Sequence, residues 1–124
     1  MAKKILLIED DTLLLDLVQN KLKEYGYDVL GKQSGEDGLE VIAEFFPDLI
    51  LLDMLLPGID GIQTLEQIKK NPKSTEIPVI IISNSGQPVE LGRAEQLGAR
   101  DWLIKVDFDL DELIDKIIKQ IGKP

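Results

Sequence analysis

Residues 49–53 read Leu49-Ile50-Leu51-Leu52-Asp53, four aliphatic side chains in a row that end on a carboxylate. A run this short and apolar at every position suits a strand buried on both faces, as parallel sheets require. The same pattern opens the chain, where Ile5-Leu6-Leu7-Ile8 leads into Glu9-Asp10-Asp11. It recurs at Val79-Ile80-Ile81-Ile82, announced by Pro78 and followed by Ser83. Two weaker runs, around Tyr27 to Leu30 and Trp102 to Ile104, are shorter or interrupted, as strands at the edges of a sheet can be.

Helical patterns separate these runs. Leu14, Leu15, Val18, Leu22 and Tyr25 form one apolar stripe, Leu39, Ile42, Phe45 and Phe46 a second, and Ile62, Leu65 and Ile68 a third. Leu91, Ala94 and Leu97, stopped by Gly98, make the weakest pattern; Leu110, Leu113, Ile114, Ile117, Ile118 and Ile121 make the clearest, with Asp109 and Glu112 placed to cap it. Strand and helix alternate five times, which predicts an α/β fold with a parallel sheet and helices on both faces. Strong runs in the centre and weak ones at the edges, joined by right-handed crossovers, give the strand order 2-1-3-4-5. In that order the chain turns in opposite directions after strands one and three, so a crevice opens beyond their carboxyl ends.

Composition limits what such a crevice can do. At 124 residues, 44% hydrophobic and 30% charged, the chain reads as one domain, residues 1–124, with no output domain appended. Lys plus Arg number 14 against 23 Asp plus Glu, and the net charge of −9 disfavours direct contact with nucleic acid or anionic membrane. Cysteine and histidine are both absent, which removes disulfides, thiol nucleophiles, zinc fingers and imidazole acid–base chemistry. The amino terminus has too short an apolar run for a signal or a membrane span, and the expected location is cytoplasmic.

Carboxylates, a hydroxyl and an amine gather where the strands end. Strand one runs into Glu9, Asp10 and Asp11, strand three into Asp53, strand four into Ser83 and strand five into Lys105. Several carboxylates in one crevice need a compensating cation, and a small hard ion with oxygen ligands, Mg²⁺, suits them best. A metal, a hydroxyl and a lysine around one carboxylate can neutralise phosphoryl oxygens, which is most of what phosphoryl transfer asks of a protein; Asp53 would then be the acceptor.

Taken together, Leu7-Ile8-Glu9-Asp10-Asp11, Asp53-Met54-Leu55-Leu56-Pro57-Gly58-Ile59-Asp60-Gly61, Ser83 and Lys105 resemble the receiver domains of bacterial response regulators, over nearly the whole chain. The resemblance implies a flavodoxin-like fold and a stand-alone signalling switch in a two-component phosphorelay, not an enzyme acting on a separate substrate. It implies that Asp53 accepts a phosphoryl group from a sensor histidine kinase or phosphotransfer protein, or slowly from small acyl phosphates. Glu9, Asp10, Asp53 and the main-chain carbonyl of Leu55 would hold Mg²⁺, and Ser83 and Lys105 would bind phosphoryl oxygens. Movement of Ser83 would draw Trp102 inward, and the fourth helix, fifth strand and fifth helix would become a surface for a downstream protein.

Other readings attach to the same residues. Glu9, Asp10 and Asp11 suit a helix amino terminus; Asp60 suits an N-cap and is kept as one. Val106 stands where most receivers have proline, which predicts a trans Lys105-Val106 bond, because a cis bond to a non-proline residue costs about 2.5–4 kcal/mol. Asn84 replaces a usual small residue and Leu55 stands two positions after the acceptor; both should hinder water and prolong the phosphoryl-aspartate. Val106, Asn84 and Trp102 also prompt a second reading, a phosphorylation-independent interaction module. A phosphatase of the haloacid dehalogenase type would need Asp-x-Asp after strand one, which Glu9-Asp10-Asp11-Thr12 lacks.

Overall fold

The computed structural model describes residues 2–83, 88–105 and 109–124, with the backbone alone for 88–90. Its strands are β1 (Lys4–Ile8), β2 (Asp28–Lys32), β3 (Leu49–Asp53), β4 (Val79–Ser83) and β5 (Asp101–Ile104). Its helices are α1 (Thr12–Tyr25), α2 (Gly35–Phe45), α3 (Gly61–Lys70), α4 (Pro88–Gln96) and α5 (Leu110–Ile121). All strand pairs are parallel and the order is β2-β1-β3-β4-β5, as the pattern of strong and weak runs predicts.

Why the central runs are apolar throughout is visible in how they divide their side chains. Ile5 and Leu7 of β1, Leu49 and Leu51 of β3, and Ile80 and Ile82 of β4 join Leu15, Val18 and Leu22 of α1 and Leu113, Ile114 and Ile117 of α5. The alternate residues Leu6, Ile8, Ile50, Leu52, Val79 and Ile81 pack with Ile42 of α2, Leu65 and Ile68 of α3 and Ala94 of α4. A residue on either face therefore leaves water completely, a contribution of about 1.5–3 kcal/mol for each aliphatic side chain. No face is left to be polar until the strand ends.

Two ends of the predicted stripes depart from expectation. Tyr25 is exposed and stacks on the Tyr27 ring, 5.9 Å between centroids. Phe46 is also exposed: it caps α2 with a left-handed φ of 53°, which turns it off the helix stripe that ends at Phe45. Asp109 caps α5 by accepting from the Asp111 N–H, whereas Glu112 lies in the first turn and makes no capping box among the described residues. The expected features at Asn84 and at the Lys105-Val106 bond lie outside the described residues.

One glycine fixes how α3 meets the end of β3. A Cβ on Gly61 would lie 2.4 Å from the Asp53 carbonyl oxygen and 2.5 Å from Met54 Cα, both main-chain atoms, while the Gly61 N–H donates to the Met54 carbonyl at 3.0 Å. In Gly92 of α4 a Cβ would meet nothing within 4 Å. Gly61→Ala should destabilise the protein by about 1–3 kcal/mol, because backbone must shift to admit the methyl. Gly92→Ala should stabilise it by about 0.5–1 kcal/mol through helix propensity. Urea denaturation of the two variants beside the parent checks both signs.

Candidate functional site

Strand register sets the spacing of the polar groups. Ile8 pairs with Leu52, Asp53 with Ile82 and Ser83 with Ile104, so Glu9, Asp53, Ser83 and Lys105 end neighbouring strands within a residue of one another. Glu9 and Asp53 are each 1% exposed and Ser83 is 2% exposed, although all three are polar. Asp10 stays at the surface, yet carboxylate oxygens of Glu9, Asp10 and Asp53 lie within 4.8 Å of one another.

Lys105 holds this group together. Its ammonium lies 2.8 Å from Glu9 Oε1 and 3.1 Å from Asp53 Oδ2. Among the described residues no hydrogen-bond donor is aligned on either of those buried oxygens, so the ammonium's charge is what offsets them. The other two oxygens are fixed by main chain: the Asp11 N–H donates to Glu9 Oε2 at 3.0 Å, and the Leu55 N–H to Asp53 Oδ1 at 3.2 Å.

Three carboxylates against one ammonium leave two negative charges when all are ionised. Burial is the largest influence on Glu9 and pushes its carboxyl up to about 7; the Lys105 ammonium pulls the other way without prevailing, and the Asp53 carboxylate adds to the rise. For Lys105 burial acts to lower the pKa, but Glu9 and Asp53 outweigh it and raise the group above its ordinary range. A small divalent cation would supply the missing positive charge, and buried carboxylate oxygens without aligned donors suit such an ion.

The acidic triplet that follows β1 divides its work. Asp11 is the N-cap of α1, its Oδ1 accepting from the Leu13 N–H at 3.0 Å and the Leu14 N–H at 3.3 Å. Glu9 and Asp10 instead face Asp53. Asp60 is an N-cap too, in a reciprocal capping box with Gln63 at 2.8 and 2.9 Å. The Leu55 side chain is 58% exposed, and Trp102 is half-buried against the cluster formed with α4. Neither the Lys105–Glu9 contact nor the role of Gly61 was read from the sequence. The quoted motif contains that glycine, but only the packing of α3 on Asp53 shows what it is for.

Residues 5–118 match the response regulator receiver domain family, and the chain belongs to it. Receiver domains are signalling modules of two-component systems. Chemotaxis protein CheY4 of Vibrio cholerae superimposes with a TM-score of 0.92, covering 98% of this chain and 100% of that one; at 20% identity it speaks for the fold. The receiver domain of sensor histidine kinase PA1611 from Pseudomonas aeruginosa PAO1, solved with a magnesium ion in its active site cleft, is 25% identical at a TM-score of 0.89, covering 99% and 100%. The BeF3-activated receiver domain of Klebsiella pneumoniae RstA is 26% identical at a TM-score of 0.87, covering 95% and 97%. Among the described residues no helix is long and apolar enough to cross a membrane.

The Glu9 shift makes a prediction about stability. A carboxyl that holds its proton more tightly when folded contributes fully below its unfolded value of 4.5, and that contribution is lost as pH rises through about 7. In chelator, Glu9→Gln should therefore be more stable than the parent by on the order of 1–3 kcal/mol at pH 8. The gap should close towards pH 4.5, and denaturant midpoints at the two pH values measure it.

Proposed function

We propose that Asp53 is a phosphoryl acceptor and that its modification switches the α4-β5-α5 surface for a protein partner. The observation that carries this reading is the Lys105 ammonium bridging Glu9 and Asp53, with Ser83 buried at the end of the next strand. An Asp53 carboxylate oxygen attacks phosphorus as the donor's bond to phosphorus breaks, a phosphorus–nitrogen bond for a phosphohistidine or a phosphorus–oxygen bond for an acyl phosphate. The phosphoryl group carries negative charge into a pocket that already holds an excess of it. Lys105 is placed to exchange a carboxylate partner for a phosphoryl oxygen, and the Ser83 hydroxyl to donate to another.

Glu9, Asp10, Asp53 and the Leu55 carbonyl are the groups that would hold Mg²⁺, which when bound supplies the charge that lets phosphate approach three carboxylates. The magnesium in the PA1611 receiver supports that assignment. The natural donor is a sensor histidine kinase or a phosphotransfer protein. Ser83 moving towards the phosphoryl group would pull on β4, and Trp102 on the neighbouring β5 would register it; Ile81 and Trp102 are paired in the ladder.

The test is intact mass after incubation with Mg²⁺ and acetyl phosphate, with Trp102 emission followed in parallel. A phosphoryl-sized gain should appear, and should vanish in Asp53→Asn or in chelator. Lys105→Met should slow its formation by on the order of 10²-fold. An absent adduct together with absent Mg²⁺ binding would favour the phosphorylation-independent module instead. The exposed Leu55 side chain beside the acceptor bears on lifetime: it gives an incoming water nothing to hydrogen-bond. Leu55→Asn should accelerate loss of the phosphoryl group severalfold, read as decay of the mass adduct after donor removal.

A further inference from the structure

Both arginines of the chain, Arg93 and Arg100, stand in its second half, and residues 61–100 carry five cations against four acids in a protein whose net charge is −9. Three of these cations, Lys69, Lys70 and Arg93, meet at one place. Between α3 and α4 lies a cleft of about 350 Å³ lined by Glu66, Lys69, Lys70, Arg93, Gln96 and Leu97. It is remote in kind from the acidic crevice: its rim is basic and part of its wall is apolar.

The charges in this cleft are only partly satisfied from within. Arg93 donates to Glu66 Oε1 at 3.0 Å, while its side chain remains 60% exposed. Lys69 is half-buried, and its ammonium donates to the main-chain carbonyls of Thr75 and Ile77, at 3.2 and 3.0 Å. Burial pulls its pKa down most, the nearby Arg100 cation adds to that fall, and Glu76 pulls more weakly upward. Lys70 is exposed, and so is Arg100, which stands outside the lining but near enough to act on Lys69.

We propose that the α3–α4 cleft docks an acidic peptide segment of a partner protein, one that offers a carboxylate to Arg93 next to an apolar side chain for Leu97. The Glu66 carboxylate already shows the chemistry that Arg93 accepts, and a guanidinium has five donors with which to take a second carboxylate. The rest of the protein repels such a segment, so charge complementarity confines it to this patch. An extended polyanion such as nucleic acid would have to run on over the acidic surface beyond. A bare phosphate would gain nothing from Leu97.

The proposal is independent of Asp53, and its test uses the unphosphorylated full chain. A short dye-labelled peptide of alternating Glu and Leu is titrated by fluorescence anisotropy, beside a Gln and Leu counterpart. The Glu peptide should bind saturably and more weakly as salt rises. The exposed double variant Arg93→Ser, Arg100→Ser should weaken binding at least about fivefold. Lys23→Ser makes one of the same charge changes on α1, across the sheet, and should leave binding unchanged. Equal binding of the Gln peptide, an equal loss in Lys23→Ser, or no saturable binding would each overturn the proposal. So would concentration-dependent self-association that disappears in the double variant, which would assign the cleft to a second copy.

Discussion

Glu9 and Asp53 end adjacent strands almost completely out of water, and two carboxylates so placed repel one another unless something positive stands between them. Lys105 does, from the edge strand on the far side of β4. The contact joins the ends of β1, β3 and β5 across the intervening β4, so it holds only if all four strands keep their register. An aliphatic core that buries every residue of the central runs provides that constancy. Each side chain it removes from water is worth about as much as the electrostatic strain at one carboxylate, and there are many more of them. The site is tolerated because the sheet beneath it is far more stable than the site is unfavourable.

That strain also leaves the crevice short of positive charge. A pocket that relaxed its charges fully among its own residues would have no use for a further cation or for an incoming anion carried with one. Here the Lys105 ammonium offsets by its charge one oxygen of Glu9 and one of Asp53, main-chain N–H groups donate to the others, and Asp10 remains at the mouth. The arrangement keeps a negative excess that a divalent ion would offset.

The strand order was legible because periodicity reports burial directly: a run with no polar position has no solvent side, and the two interrupted runs became the edges. The site residues were legible as types and places, since each strong strand ended on a polar side chain. What each neighbour contributes was less so. Glu9, Asp10 and Asp11 are chemically near-equivalent in sequence, and only the backbone turn into α1 makes Asp11 a cap while directing Glu9 inwards. Tyr25 and Phe46 continue their helical stripes on paper, yet stacking on Tyr27 and a left-handed cap place them at the surface. Gly61 could be seen to be a glycine, but the peptide it touches belongs to a strand eight residues earlier.

That close approach of α3 to the end of β3 has a mechanical side. With main chain resting on main chain at Gly61, the peptide of Asp53 has a rigid backstop and no compressible side chain beneath it. A bulky group added to the carboxylate would find no give in that direction. If Asp53 takes up a phosphoryl group as proposed, the recoil would pass sideways into β4 and β5, and α3 would serve as the anvil against which those strands are struck.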